Sequence, residues 1–534
     1  MTDNIINTLE EMVQRWMNSQ VKGRFLDKDY AKSPDFVSMA HKVVNQLEYN
    51  FLDGKLTMIP GLDSEEGLLL DAFIGEKNRY GRGTAGVTDV SLHTTTIKRI
   101  IDRNMNALIR AAFANYNDKV SLAQFRKEKG LFFALSQEPA AVSLPEARAL
   151  GEKMLSSKQV QELERLSELV YRNEHVWKSL LTVSITNNIR RYVNSEKTKI
   201  RSCDFRAGIL LSALVENNRS ERISYFEPIF NTNLPSQLRN FSIKKSGIKK
   251  ILGNINSFAN ARSVETGKYP VIMDGSALGV FFHEAIAAHL LSGEYIYRKE
   301  TNVFSDKIGK EIMPSFLTLI DDPSYKKGFG HYAYDEEGIR GQKTVLVENG
   351  ILKNFLLDRK SAGQFGLHSN GHARSEWVMR ADEKGEFSTS IPEPRISNLF
   401  VLPSSTVSED ELIKHMLRYC EERGREFGLY FRWGEGCVSV ENGEFILSPQ
   451  SVFKMYTDGR KELVSGVTLS GSPFYLLDQI VLCSNKYSST YGFCGSNSGT
   501  IPTWQRAPSA FLREAVVNKV TRLEETERIL PKII

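Results

Sequence analysis

Apolar residues recur at helical spacing in two segments of the first third of the chain. Residues 4–16 repeat apolar positions every three or four residues, and residues 144–171 form a long, charged, amphipathic segment. Both segments are predicted to be helices in a region that mixes helix and strand. The glycine-rich stretch Gly81–Gly86 follows no clear strand and lacks a phosphate-binding pattern, so it is predicted to be a loop.

Alternation of apolar and polar positions begins near residue 177 and indicates β-structure. Residues 181–193 alternate on both sides of Asn187-Asn188, which predicts a hairpin that turns at these two asparagines. Residues 223–261 follow as a connection that contains an amphipathic helix over 245–258. We place a domain boundary near residue 235, which divides the chain into residues 1–235 and residues 236–534.

The second half is dominated by short alternating segments separated by turn signals. Three dipeptides of the kind that favours tight hairpins occur there: Asn349-Gly350, Asn442-Gly443 and Asp458-Gly459. A helix over 411–423 and a second one near residue 283 are the few helices predicted. The fold class is therefore α+β, with an N-terminal mixed α/β domain followed by a largely antiparallel β domain.

Composition narrows the classes of protein and of partner. The 534 residues are 41% hydrophobic and 25% charged, which is ordinary for a globular protein. The net charge of +5 is mild for this length, so nucleic acid is not an expected partner. Because no leader pattern and no long apolar run is present, we expect a soluble, cytoplasmic protein without a membrane segment.

The five cysteines do not form a framework of their own. They lie far apart and lack a CxxC pair, which argues against disulfide bonds and against a zinc site built from cysteine alone. Most of them are expected to be reduced, buried thiols.

The strongest chemical signal is a pair of histidines beside a glutamate. An apolar run ends at Phe282 and leads into His283-Glu284, and His289 follows five residues after Glu284. Two neutral imidazoles and a carboxylate are suited to one zinc ion, which would activate a water molecule. Glu284 would accept the proton of that water and pass it to a leaving amine.

The spacing of the two histidines has a geometric consequence. Histidines six residues apart on a regular helix point about 240° away from each other, so an undistorted helix cannot present both to one metal. Either the helix widens through a π-bulge or it ends soon after Glu284. The alternative is a buried amphipathic helix in which His289 caps a carbonyl.

Several short stretches of the second half occur together in a fixed order. They are Phe282-His283-Glu284-Ala285, Asp321-Asp322-Pro323, Asp335-Glu336-Glu337-Gly338, Val347-Glu348-Asn349-Gly350-Ile351-Leu352-Lys353, Pro394-Arg395-Ile396-Ser397-Asn398 and Gly466-Val467-Thr468-Leu469-Ser470-Gly471. In these stretches the chain resembles the TldD/PmbA family of metallopeptidases from about residue 269 to about residue 508. A weaker similarity is found at residues 191–195.

The resemblance implies a zinc site and a dimer. Cys494, which precedes a glycine, matches the family's third ligand beside His283 and His289, and Glu284 matches the general base. The resemblance implies a homodimer, or a heterodimer with a paralogue. We expect cleavage of extended or unfolded peptides, because an extended peptide can add to a sheet edge of the β-rich domain. The chain has four residues between Glu284 and His289 where the family motif has three, which favours the alternative of a non-catalytic subunit that binds peptides or a catalytic partner.

For the remaining polar residues, the sequence predicts structural or surface roles. His368 and His372 flank a predicted turn and are expected to be solvated. Arg374 and Arg395 are expected in surface ion pairs, although they could bind a peptide carboxylate. Asp321, which precedes Asp322-Pro323, is expected to set a turn.

Overall fold

A computed structural model gives the conformation of most of the chain. It describes residues 3–25, 28–57, 61–76, 79–88, 93–125, 134–147, 150, 154–217, 222–242, 247–294, 304–376, 380–381, 387–388, 391–438 and 444–520. In chain order, the helices are α1 (Asn4–Met17), α2 (Thr94–Phe125), α3 (Ser157–Tyr171), α4 (Pro235–Arg239), α5 (Ile248–Ala259), α6 (Gly275–Phe281), α7 (Arg359–Phe365), α8 (Glu409–Glu421) and α9 (Pro473–Gln479). A π-helical segment, Phe282–Ala287, continues α6.

The strands fall into an N-terminal and a C-terminal group. The N-terminal strands are β1 (Val21–Phe25), β2 (Lys28–Lys32), β3 (Phe36–Leu52), β4 (Lys55–Leu56), β5 (Asp63–Glu76), β6 (Arg79–Thr88), β7 (Val142–Ser143), β8 (Val176–Asn194), β9 (Lys199–Glu216) and β10 (Arg222–Thr232). The C-terminal strands are β11 (Gly267–Met273), β12 (Leu317–Asp321), β13 (Thr344–Glu348), β14 (Ile351–Leu352), β15 (Ala373–Arg374), β16 (Arg380–Ala381), β17 (Phe387–Ser388), β18 (Glu393–Pro394), β19 (Asn398–Pro403), β20 (Phe427–Val438), β21 (Phe445–Tyr456), β22 (Lys461–Val464), β23 (Val467–Gly471), β24 (Ile480–Ser496) and β25 (Gly499–Lys519).

The first sheet has the strand order β10-β9-β8-β3-β5-β6, and each of these neighbours is antiparallel. Its apolar side chains pack under helices in two clusters. Met39 of β3 lies in the cluster with α1 and α2, whereas Leu47 and Phe51 of the same strand lie in the cluster with α3 and α5. Because alternate residues of a strand face opposite sides, all three side chains are on one face.

The second sheet has the order β11-β20-β21-β23-β25-β19-β12-β13-β14, with β24 paired to β25. Its pairings are antiparallel except at β11–β20 and β19–β25. The core of this half packs α6 and the π-helical segment against the sheet, through Phe281, Phe282 and Ile286. The expected α+β class with largely antiparallel sheets is therefore confirmed.

Several elements lie where the sequence predicts them. Helix α1 spans the first amphipathic segment, and Asp3 caps it by accepting hydrogen bonds from the backbone N–H groups of Ile5 and Ile6. Asn349 and Gly350 have φ values of 48° and 79° and join β13 to β14. Residues 457–460 connect β21 to β22, as predicted. The Asn442-Gly443 turn lies outside the described residues.

The long helix predicted over residues 144–171 is shorter in the structure. Helix α3 begins at Ser157 because Ser156 and Gln159 form a reciprocal capping box. The predicted boundary at residue 235 stays a prediction. The first sheet ends at Thr232 and the second begins at Gly267, while α4 and α5 pack on the core of the first sheet.

Two predictions about the first half are wrong. The hairpin turn at Asn187-Asn188 is instead the middle of the continuous strand β8, which pairs with β3 on one side and β9 on the other. The buried side-chain amide of Asn187 accepts a hydrogen bond from Asn45 on the neighbouring strand. Asparagine is common in turns, but here it stabilises the sheet by pairing across two strands.

The glycine-rich stretch is strand β6 and not a loop. A Cβ atom at Gly83 would lie 2.1 Å from the carbonyl oxygen of Leu108 in α2, and one at Gly81 would lie 2.2 Å from that of Ala112. The glycines therefore allow the backbone of α2 to approach the strand closely. No helix in the described residues is long and apolar enough to cross a membrane.

We expect Gly81→Ala to destabilise the protein by about 3 kcal/mol, because the new methyl group would push α2 away from the sheet. Urea unfolding measures this change. Gly208→Ala is the matched control: Gly208 is also a strand glycine of the first sheet, and its nearest neighbour would be 3.9 Å from a Cβ atom. Equal stability of the two variants would show that the close approach of α2 does not require glycine.

Candidate metal centre

The histidine motif begins where β11 leads into α6. Asp274 caps α6 by accepting a hydrogen bond from the N–H of Ala277 at 2.9 Å, and it accepts a second one from Trp433 at 3.2 Å. A Cβ atom at Gly275 would lie 2.0 Å from the carbonyl oxygen of Ala507 in β25. This glycine therefore lets α6 rest directly on the strand that carries part of the site.

The motif itself is not regular α-helix. Residues Phe282–Ala287 are π-helical, and the N–H of Ala288 donates to the carbonyl of His283, five residues earlier, at 2.9 Å. Of the two expected departures from a regular helix, a π-bulge or an early end, the structure has the π-bulge. Three of the four residues between Glu284 and His289 lie in this wider turn.

His289 is solvent-exposed and is partly fixed by the bulge. Its Nδ1 lies 2.7 Å from the carbonyl oxygen of Glu284. Since a carbonyl only accepts, Nδ1 carries the proton and Nε2 is the ring's lone-pair atom. The alternative expectation that His289 caps a carbonyl is therefore also met.

His283 is buried, with 4% of its surface exposed. Its Nδ1 is hydrogen-bonded to the side-chain amide of Gln505, and no hydrogen-bond partner is found for its Nε2 within the described part of the chain. The nearest carboxylate oxygen is that of Glu284, 3.5 Å from Nε2. Burial lowers the pKa of His283, which favours the neutral imidazole that binds metals.

The amide of Gln505 decides which nitrogen of His283 can act as a ligand. As the amide nitrogen faces Nδ1, it donates to Nδ1, and the proton of the neutral ring is then on Nε2. With the amide rotated by half a turn, its oxygen would accept from Nδ1–H, and the lone pair would be on Nε2. Gln505 carried no motif, so the sequence did not identify it.

Glu284 is the carboxyl group of the site. Its side chain is 23% exposed and packs against Gly436 of β20. The pKa of Glu284 is raised to about 7, mainly because the carboxyl group is buried; His283 opposes this shift and the nearby Cys494 contributes to it. A carboxyl group that titrates near neutrality can both accept and return a proton.

Cys494 lies on β24, opposite Ile501 of β25, and is buried. Its carbonyl accepts a hydrogen bond from Nη2 of Arg395 at 2.6 Å, and Nη1 of the same guanidinium binds Ser498 and Gly499 at the turn between the two strands. The expectation that Arg395 forms a surface ion pair is wrong. It is 4% exposed and clamps the hairpin that carries Cys494.

The other polar residues that were expected at the surface are buried as well. Arg374 is 6% exposed and donates to the carbonyls of Ile396 and Pro502. His372 is fully buried, and its Nε2 lies 3.0 Å from a carboxylate oxygen of Asp321. Asp321 ends β12, where it also accepts from the backbone N–H of Ser397. His368 is exposed, as expected.

The types of donor at this site fit zinc, since two imidazoles and a thiolate leave one position open. His283 supplies a buried nitrogen without a partner, which is the observation that suits a metal. The structure brings His283 and Glu284 together and places Cys494 close enough to affect the carboxyl group of Glu284. Among the described residues, no three His, Cys, Asp or Glu side chains converge at metal-binding distance.

Comparison with known proteins shows relatives of similar sequence. Residues 266–519 match the family model of the PmbA/TldA metallopeptidase C-terminal domain. A metalloprotease TldD homolog of Buchnera aphidicola is 26% identical over 431 residues, which cover 75% of this chain and 83% of that protein. A zinc metalloprotease TldD homolog of Saccharolobus solfataricus is 28% identical over 46% of this chain and 50% of its own length.

The fold is also shared. The crystal structure of TldE from Thermococcus kodakarensis superposes with a TM-score of 0.62 at 17% identity, over 91% of this chain and 97% of TldE. The family model matched by residues 266–519 confirms the resemblance read from the ordered stretches of the second half. Residues 266–519 belong to the TldD/PmbA family.

Proposed function

We propose that the protein is a zinc-dependent peptidase that acts on extended or unfolded peptides. The observation that carries this proposal is the buried Nε2 of His283, which has no hydrogen-bond partner in the described residues and faces the carboxyl group of Glu284. The proposed ligands are His283, His289 and Cys494. The names of relatives as metalloproteases support the same class of reaction.

Each residue has a separate task in this proposal. The chemistry supplied by bound zinc is the polarisation of a water molecule and of the peptide carbonyl. Glu284 accepts the proton of the water and returns it to the leaving amine, for which a pKa near neutrality is well suited. Gln505 orients His283, and Arg395 holds the hairpin of Cys494 in place.

The substrate and the assembly are part of the proposal. An extended peptide can add to the edge of a sheet through backbone hydrogen bonds, with little selection for side chains. Pairing with a second copy or with a family paralogue is supported by the likeness to TldE, which is a fold relationship.

The second candidate is a non-catalytic subunit that binds peptides or a catalytic partner. It is favoured by the lack of three converging donors in the described part of the chain. Metal content separates the two candidates.

Protein purified without added zinc is expected to contain about one zinc ion per chain, because two imidazoles and a thiolate form a site with three protein ligands. Elemental analysis gives the stoichiometry. A value near zero, even after zinc is supplied and excess is removed, would favour the non-catalytic subunit.

Glu284→Gln should keep its zinc but hydrolyse a disordered peptide about 10²–10⁴-fold more slowly, since the amide cannot accept the proton of water. Cys494→Ser should lose zinc first, because a hydroxyl is a poorer ligand than a thiolate. Both variants and the wild type are compared in one zinc-buffered solution. Equal rates in all three would exclude this group of residues as the source of activity.

Gln505→Leu should bind zinc about 10–100-fold more weakly, because His283 loses the partner that fixes its ring. Gln505→Glu should retain zinc, since a carboxylate accepts from Nδ1–H and leaves the lone pair on Nε2. A competition titration with a chelator measures both affinities. If the leucine and glutamate variants bind zinc equally well, Gln505 does not orient His283.

A further inference from the structure

A second polar site lies between the first sheet and the C-terminal half. It is a cavity of about 120 Å³ whose floor consists of alternate residues of β3, β8 and β9. These residues belong to the face of the sheet opposite the helices. Segments around Tyr332, Arg374 and Pro502 close the cavity from the other side.

Polar atoms without partners are concentrated at this cavity. Thirteen buried side-chain nitrogen or oxygen atoms lack a hydrogen-bond partner in the described residues, and five of them belong to residues that line it. They are Nε of Arg190, Nε of Arg206, the hydroxyls of Ser202 and Ser375, and Oδ1 of Asn188. Because a buried polar atom without a partner is destabilising, such a concentration indicates that polar molecules, either water or a polar ligand, occupy the cavity.

Arg206 is a buried cation without a carboxylate at ion-pair distance. It is 8% exposed, and its two terminal nitrogens donate to the carbonyls of Phe205 and His331 at 2.7 and 2.6 Å. No carboxylate lies within 4.0 Å of it in the described part of the chain. Burial lowers its pKa, and Asp204 opposes that effect from a longer distance.

Asp204 has the opposite charge two residues earlier on β9. Residues two apart on a strand share a face and are separated by roughly 7 Å, so Asp204 and Arg206 point to the same cavity. Within the described residues, the side chain of Asp204 has neither a hydrogen bond nor an ion pair. Asp204 thus faces Arg206 without a direct ion pair, and it acts on the buried cations of Lys42 and Arg190 from a longer distance as well.

The other carboxyl groups at the cavity have protein partners. Glu336 forms an ion pair with Arg190 at 2.8 Å, and Glu376 accepts from the backbone N–H of Thr500. Asp335 accepts hydrogen bonds from three backbone N–H groups. Asp204 therefore differs from these three carboxyl groups, because its side chain has no such partner in the described residues.

We propose that this cavity binds a small α-amino acid as a zwitterion, with its carboxylate on Arg206 and its ammonium group on Asp204. An α-amino acid has both charges on one carbon, which suits two opposite charges on neighbouring same-face positions. The hydroxyls of Ser202 and Ser375 provide further hydrogen bonds. The volume is below the ~300 Å³ at which pockets for drug-sized ligands begin, so glycine or alanine fits best.

The site is separate from the candidate metal centre. Phe493 lines the cavity, and the next residue on the strand, Cys494, points to the opposite face of the hairpin. Binding of an amino acid here therefore does not depend on the proposed peptidase activity.

Titration calorimetry of the full-length protein tests the ligand class with four probes. Glycine has both charges, N-acetylglycine only the carboxylate, glycinamide only the ammonium group, and inorganic phosphate is a plain anion. Glycine should bind at least about tenfold more tightly than the other three, since each lacks one charged hydrogen bond. The proposal is overturned if glycine does not bind, or if N-acetylglycine or phosphate binds equally well.

Variants locate the binding to the cavity. Asp204→Asn and Arg206→Lys should each weaken glycine binding about tenfold or more. Ser375→Ala should weaken it too, while leaving the unfolding free energy of the ligand-free protein unchanged or raised, because it removes a hydroxyl that has no partner. Ser179→Ala is the matched control: its hydroxyl is also buried without a partner in the described residues, but it does not line the cavity. Glycine binding that is unaffected by Asp204→Asn and Ser375→Ala would place the ligand elsewhere.

Discussion

The carboxylate of Asp321 is the buried charge on which the arrangement of the C-terminal half depends. It accepts hydrogen bonds from the backbone and the hydroxyl of Ser397, and it faces the ring of His372. The carbonyl of His372 in turn accepts from the backbone N–H of Arg395, whose guanidinium holds the hairpin with Cys494. A buried charge is tolerated only with such partners, so these groups are fixed together.

Much of the fold could be predicted from the spacing of apolar and polar residues along the sequence. The first amphipathic helix and the turns at Asn349 and Asp458 depend on local spacing and local turn chemistry, and both are visible in the sequence. An irregular helix at the motif could be predicted, because two histidines six positions apart cannot face one metal from a regular helix. This is a geometric argument that needs no tertiary information.

The errors concern residues whose role is decided by distant parts of the chain. Arg374, Arg395 and His372 have surface-type side chains, yet they are buried because they bind backbone carbonyls or a carboxylate far away in sequence. Gly81 is in a strand because α2 lies on it. Gln505 supports His283 from a position 222 residues away, and no local pattern points to such a pair.

A π-helical turn, such as the one at Phe282–Ala287, holds one residue more than an α-helical turn and here lies between two well-packed segments. Helix α6 still rests on β25 through Gly275, and Leu291 after the turn is still in the core. Such a segment lets a lineage gain or lose a residue between the two histidines while the neighbouring packing is inherited unchanged. A search that demands one fixed interval between the histidines would therefore overlook chains of this kind.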